Sequence, residues 1–99
     1  MSRAVHQSYR LAQPITSKQD MLITEVLIVR PRGRDLKVLD QIEGHVEIMA
    51  TMIDRLCRMP DQTDVFVGFS DALDVEDFAK LGESVMSLIT DALPTGGRS

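Results

Sequence analysis

From Met21 to Val29 nearly every position is apolar, and the run stops at Arg30-Pro31. Its β-branched and aliphatic content predicts a strand over Met21–Arg30. Proline disfavours α geometry at Arg30, so the strand ends extended. Met21, Ile23, Leu27 and Val29 share one face of it, and Leu22, Val26 and Ile28 the other. A half-buried strand alternates apolar with polar, whereas this one is apolar on both sides. Such a strand is either sandwiched within its own domain or in contact with another chain on its second face, and the small number of elements available to cover both faces favours the second. Upstream, Val5, Tyr9 and Leu11 recur with a period of two, which predicts a first strand ending near Pro14. The polar stretch Thr16–Asp20 is turn-like, and an antiparallel hairpin is the simplest pairing. Two strands alone are marginal, so helices must cover the hairpin.

Downstream the period changes to that of helices. Gly33 permits a change of direction and Asp35 suits a helix N-terminus. Leu36, Leu39 and Ile42 mark a short helix ending at Gly44, and His45–Met59 a second one closed by Pro60. At about 100° per residue, Val46, Met49, Ile53, Leu56 and Cys57 fall on one face. Ile48, Met52 and Met59 flank it and widen the apolar arc to roughly 200°, about twice what a surface helix needs. Between Thr63 and Ser70, Val65, Val67 and Phe69 alternate like a strand, but Phe66 and Gly68 break the pattern. The stretch reads as a short helical or irregular connector. Asp74–Leu93 is a helix capped by Asp74, with Glu76 and Asp77 in its first turn. Val75, Phe78, Gly82, Val85, Met86, Ile89 and Leu93 line its apolar face, extended to one side by Leu81 and Leu88.

The expected architecture is α+β: an N-terminal antiparallel β-hairpin followed by three or four α-helices in a small single domain. Residues 1–10 read as an extension or the start of the first strand, 11–93 as the domain, and 94–99 as a flexible tail. Ninety-nine residues suit one domain with a modest core, and the absence of Trp leaves that core to aliphatic residues and Met. The longest unbroken apolar run, Val26–Val29, is far too short to span a bilayer. The first ten residues hold no apolar stretch of a secretory signal, and a lone Cys57 makes no intrachain disulfide. These features read as a cytosolic protein.

Charge adds one refinement. Residues 1–34 carry six basic and two acidic groups, the remainder five basic and thirteen acidic, for a net charge of −4. A nucleic-acid binder usually has a basic balance, so no nucleic-acid partner is expected. The asymmetry means either a solvated surface with internal pairing or complementary ends on neighbouring copies. Arg30, Arg32 and Arg34 form a basic corner, but a single Gly33 lacks the glycine pattern that cradles phosphate. Cys57 on an apolar helix face is an inert buried thiol. His6 and His45 are isolated and without metal-ligand spacing. Asp71, Asp74, Glu76 and Asp77 lack the EF-hand spacing and read as helix-start charge bias. No catalytic residue, metal ligand or cofactor site is expected, and the chain is not read as an enzyme.

What remains is apolar surface. Met21, Met49, Met52, Met59 and Met86 lie in the predicted elements, where methionine either fills an irregular core or makes an adaptable binding surface. Candidate client or self-contact residues are Leu22, Val26, Ile28, Ile48, Met52, Met59, Leu81 and Leu88. The residues give a small interaction protein that self-associates.

In order, Gln13-Pro14-Ile15-Thr16, Leu27-Ile28-Val29-Arg30-Pro31, Arg34-Asp35-Leu36, Ile53–Met59 and Leu73-Asp74-Val75-Glu76-Asp77-Phe78 resemble the tail assembly chaperones of contractile-tailed phages, of the E-protein or Mu-like type. The resemblance spans residues 11–93 and departs from the family pattern at Gly33, where a Ser or Thr cap is frequent, and in the apolar stretch Val65–Phe69. It implies a protein of the host bacterial cytoplasm, encoded by a phage or prophage. Such a protein binds the tape measure protein, engages tail tube subunits and leaves before the virion is complete. It also implies the shorter of two frameshift products, with Gly96-Gly97-Arg98 over the slippery site. The competing expectations are a minor structural tail or neck protein, and a small DNA-binding regulator using the three arginines.

Overall fold

A computed structural model describes residues 4–92. Its first strand, β1 (Val5–Thr16), runs antiparallel to β2 (Leu22–Val29). The connecting turn closes when the Ser17 amide donates to the Met21 carbonyl at 2.9 Å and the Ser17 hydroxyl accepts from the Gln19 and Met21 amides. The pairing slips twice. Val5 faces Val29 but Gln7 faces Ile28, and Arg10 faces Glu25 but Ile15 faces Ile23. The second slip throws Leu11–Pro14 out of the ladder as a wide bulge. Proline has no amide to contribute there, which suits Pro14 to that place.

At the basic corner the chain enters α1 (Gly33–Val38), followed by a 3₁₀ turn over Leu39–Gln41. The Asp35 carboxylate accepts from the Arg32 amide at 2.8 Å, so the predicted helix-start role of Asp35 is met by a direct hydrogen bond as well as by the macrodipole. Gly44 then sits at φ 97°, a conformation open to glycine, and separates this turn from α2 (His45–Leu56).

The second helix is shorter than the sequence predicts. It ends at Leu56 instead of Met59, and Cys57–Arg58 form β3, pairing with Ile28 and Leu27 of β2. The helical period continues to Met59, but the open edge of β2 offers backbone partners that a further helical turn would forgo, and Pro60 disfavours helix at Met59. The sheet order is β1-β2-β3. Beyond β3, Asp64 bridges back to Arg58, and α3 (Phe69–Ala72) follows a left-handed Gly68 at φ 90°. The connector is thus a bridge residue and then a helical turn. Its Phe69 is a core residue, meeting Phe66 edge to face at 5.9 Å.

The last helix, α4 (Val75–Ala92), is capped by Asp74, whose carboxylate accepts from the Glu76 amide at 3.0 Å. The core joins Ile23, Val26, Ile28 and Val29 of β2 to Met52, Ile53 and Leu56 of α2 and to Leu81, Val85, Leu88 and Ile89 of α4. The two helices approach closely at Gly82, where an added Cβ would collide with the Met49 side chain. Leu81 and Leu88, expected at the margin of the α4 face, are at its centre. Val46 and Val75, expected inside, are 65% and 79% exposed because they occupy first helical turns beyond the reach of the sheet. The expected tail over 94–99, the frameshift-site residues and Leu93 lie outside the described residues.

Candidate interaction groove at an open strand edge

The eight residues expected at an interface separate into two groups. Val26, Ile28, Met52, Leu81 and Leu88 are buried in the chain's own core, so they present no surface. Most of both apolar rows of β2 is covered internally: Ile23, Val26, Ile28 and Val29 are buried, Leu27 is half-buried, and Met21 and Leu22 are exposed. The expected contact of the whole second face with another chain is corrected accordingly, because α2, α4 and the hairpin bulge together close over the strand. Leu22 is 64% exposed, and Ile48 and Met59 are half-buried.

Leu22 and Met59 belong to one feature. They line a groove of about 610 Å³ between the β1–β2 turn and the loop after β3. Met21, itself 57% exposed, and half-buried Phe66 complete its apolar walls, and Ile23 lies at its floor. The charged side chains lining it are Asp61 and Asp64, both carboxylates. Sequence reasoning left Phe66 and these two acids out of the candidate surface and named Met21 only among the methionines that fill a core or bind a partner. The signal was present in Phe66, whose position broke the strand-like alternation of the connector.

Backbone geometry gives the groove its character. β3 covers β2 only at Leu27 and Ile28. In continued register Met59 would face Val26 and Pro60 would face Glu25, but Pro60 has no amide to carry the ladder on. The chain turns away instead. The Met59 amide donates to the Thr63 carbonyl at 2.9 Å and the Gln62 amide to the Met59 carbonyl at 2.7 Å. Gln62 takes φ 71°, and Asp61 accepts from the Thr63 amide and hydroxyl. Those hydrogen bonds hold the Asp61 carboxyl below its ordinary value. The loop is satisfied internally, and Leu22–Glu25 make no backbone bond on the side away from β1 among the described residues.

A second, shallower depression of about 390 Å³ lies between α2 and α4, over Met49, Gly82 and Met86. A third, charged cleft brings Arg34 together with Arg55 and Arg58, but also with Asp35, Asp54 and Asp64. The Arg55 guanidinium pairs with Asp35 at 2.9 Å, Arg58 with Asp64 at 3.5 Å, and Asp54 accepts from the Ser70 amide and hydroxyl. Arg30 and Arg32 do not line this cleft, so the basic corner does not converge on one point. His6 and His45 are exposed and far from each other in the chain. No cluster of metal-ligating side chains occurs among the described residues.

One buried group that sequence reasoning treated lightly is structural. Asp77, assigned only to helix-start bias, is fully buried. One of its oxygens accepts from the Tyr9 hydroxyl at 2.9 Å and the Ala12 amide at 2.8 Å, the other from the Gln13 amide at 2.9 Å. It thereby holds the β1 bulge on the first turn of α4. Burial pushes its pKa up, but the two amides and the hydroxyl outweigh that and hold it below 3.8. The Tyr9 hydroxyl is pushed up to about 12 by burial and by Asp77. Cys57 is buried as expected, and burial, reinforced by Asp54, pushes its thiol up to about 12.

No helix among the described residues is long and apolar enough to cross a membrane. Compared with protein-family models, curated proteins and solved structures, the chain matches none of them.

Proposed function

We propose that this protein is a phage or prophage tail assembly chaperone that binds apolar segments of the tape measure protein in the bacterial cytoplasm. The observation that carries the client-binding part is the groove beside β2, where Met21 and Leu22 are exposed next to Met59 and Phe66. Flexible methionine side chains beside a leucine and an aromatic ring suit clients of varied sequence. The tail-assembly part rests on the order of motifs along residues 11–93, and on that resemblance alone. Tail tube subunits and further copies of the chain are additional partners on this reading, and no catalytic step or cofactor is assigned.

The test is coexpression of the tagged chain with a tape measure protein, followed by affinity purification and a census of purified particles. The expected result is copurification of the two and absence of the chain from finished virions. Stoichiometric presence in mature particles would overturn the chaperone reading in favour of a minor structural tail or neck protein. A salt-sensitive shift of DNA, abolished by alanine at Arg30, Arg32 and Arg34, would overturn it in favour of the regulator.

A further inference from the structure

We infer that the vacant lane beside Leu22–Glu25 receives an extended segment of a partner protein, added as a strand in line with β3, and that this segment carries apolar side chains and a basic residue. The inference rests on the reading of the chain as a client-binding protein and specifies how the client is held.

An apolar groove alone accepts a helix as readily as a strand. The backbone is what discriminates. Leu22, Ile23 and Glu25 are paired with β1 on one side, with Thr24 opposite the bulge, and on the other side the outward amides and carbonyls of Leu22–Glu25 have no backbone partner among the described residues. A helix satisfies its own backbone groups and cannot answer these, whereas an extended chain can. At about 3.3 Å per residue the lane is about 13 Å long, enough for about four residues of added strand.

The segment that follows β3 does not fill the lane. Pro60 would occupy the next inward position and has no amide, and the Met59, Gln62 and Thr63 amides are already satisfied within the turn. The lane is therefore preformed, and an incoming strand need not displace a resident one, which lowers the ordering cost of binding.

Side chains set the chemistry of the occupant. A strand in this lane turns alternate residues toward Ile23, Met59 and Phe66, which calls for apolar side chains at every second position. The rim is acidic: Asp61 and Asp64 are the charged side chains lining the groove, and the Asp64 side chain is 92% exposed despite its contact with Arg58. A lysine or arginine flanking the apolar residues meets that charge.

The other open edge fits a client less well. Between the start of β1 and α4 a depression is lined by polar residues such as His6, Gln7, Glu83 and Asp91, and the bulge interrupts the strand. Bulges and charged residues are ordinary means of blunting an edge. The corresponding half of β2 has no bulge of its own and one charged residue, the half-buried Glu25.

The test uses the full chain and a synthetic peptide of about seven residues with valine at alternate positions and lysine at both ends, a length that overfills the lane. A second version carries N-methyl groups on the amides that would face β2, and a third rearranges the same residues to form an amphipathic helix. Binding is read by fluorescence anisotropy, and its location by amide hydrogen exchange. The expected result is binding of the first peptide with at least tenfold slower exchange within Leu22–Glu25, and at least tenfold weaker binding of the N-methylated version. Leu22→Asp, at an exposed position, should weaken binding at least tenfold while the circular dichroism spectrum stays unchanged. Equal binding of the N-methylated or helical peptide, protection confined to α2 and α4, or no binding of the strand peptide would overturn strand addition. These outcomes are separable from failure of the chaperone reading. Copurification with the tail protein alongside a failed peptide test removes only the lane. Strand addition without copurification removes only the tail-assembly role.

Discussion

Replacing Asp77 tests how this small domain ties its hairpin to its longest helix. The carboxylate is fully buried and accepts three hydrogen bonds, from Tyr9, Ala12 and Gln13. Hydrogen bonds to a charged partner contribute about 1.5–3 kcal/mol each, and stranding a buried donor costs about 1–3 kcal/mol. Asp77→Ala strands two bulge amides and a hydroxyl together. Those losses overlap and water reaches some of the freed groups, so the expected cost is about 3–5 kcal/mol. Asp77→Asn keeps the shape but turns an amide group toward one of the donors, for an expected cost of about 2 kcal/mol. Urea unfolding followed by circular dichroism measures both. Tyr9→Phe completes a double-mutant cycle with an expected coupling of about 1 kcal/mol.

The same residue sets a pH dependence whose sign is fixed. The folded pKa of Asp77 lies below 3.8, so its contribution is present above that value and is lost as pH falls through the folded pKa. The Asp77→Asn variant should therefore lose less stability between pH 5 and acid than the parent chain does. An Asp77→Ala cost below about 1 kcal/mol, typical of surface changes, would refute the reasoning. So would a Tyr9→Phe effect that is identical with and without Asp77.

Three further outcomes are expected. Cys57 should resist alkylation in the folded chain and react at once in denaturant, because its thiol is buried and pushed up to about 12; rapid modification under native conditions, followed by mass spectrometry, would contradict this. Tyr9 moves from 10.0 to about 12 on folding, so stability should be complete below pH 10 and decline as pH rises from 10 toward 12, a decline that Tyr9→Phe reduces in thermal melts. Gly82→Ala should change stability by less than about 1 kcal/mol, since helix propensity offsets the displacement of a flexible Met49 side chain, whereas Gly82→Leu should cost about 2 kcal/mol or more by forcing α2 and α4 apart.

Much of the fold was legible because its signals are local. The hairpin followed from the dense apolar run before Arg30-Pro31 and the polar turn at Ser17–Asp20. The long last helix followed from Asp74 at its cap and the spacing of Phe78, Val85 and Ile89. Both were found close to where they were expected. Local patterns were less useful for the candidate site. Leu22 and Met59 lie in one groove, but Val26, Ile28, Met52, Leu81 and Leu88 had the same apolar character and turned out to be core. A residue's polarity shows that it prefers to leave water, not whether its own chain or another provides the cover.

The sequence by itself determined the two hairpin strands and the two main helices, where Pro31 and Gly44 break the pattern, and that the chain is α+β. Those properties depend on neighbours within a few residues. The tertiary structure decided what depends on distant ones. The open side of β2 drew Cys57–Arg58 out of helix and into the sheet, and Pro60 then left the rest of that edge unpaired among the described residues. The β1 bulge drew the Asp77 carboxylate into the core because its amides needed an acceptor that only α4 supplied. In each case a backbone group seeking a hydrogen bond overrode a side-chain period, and the positions of those groups are set only when the elements meet.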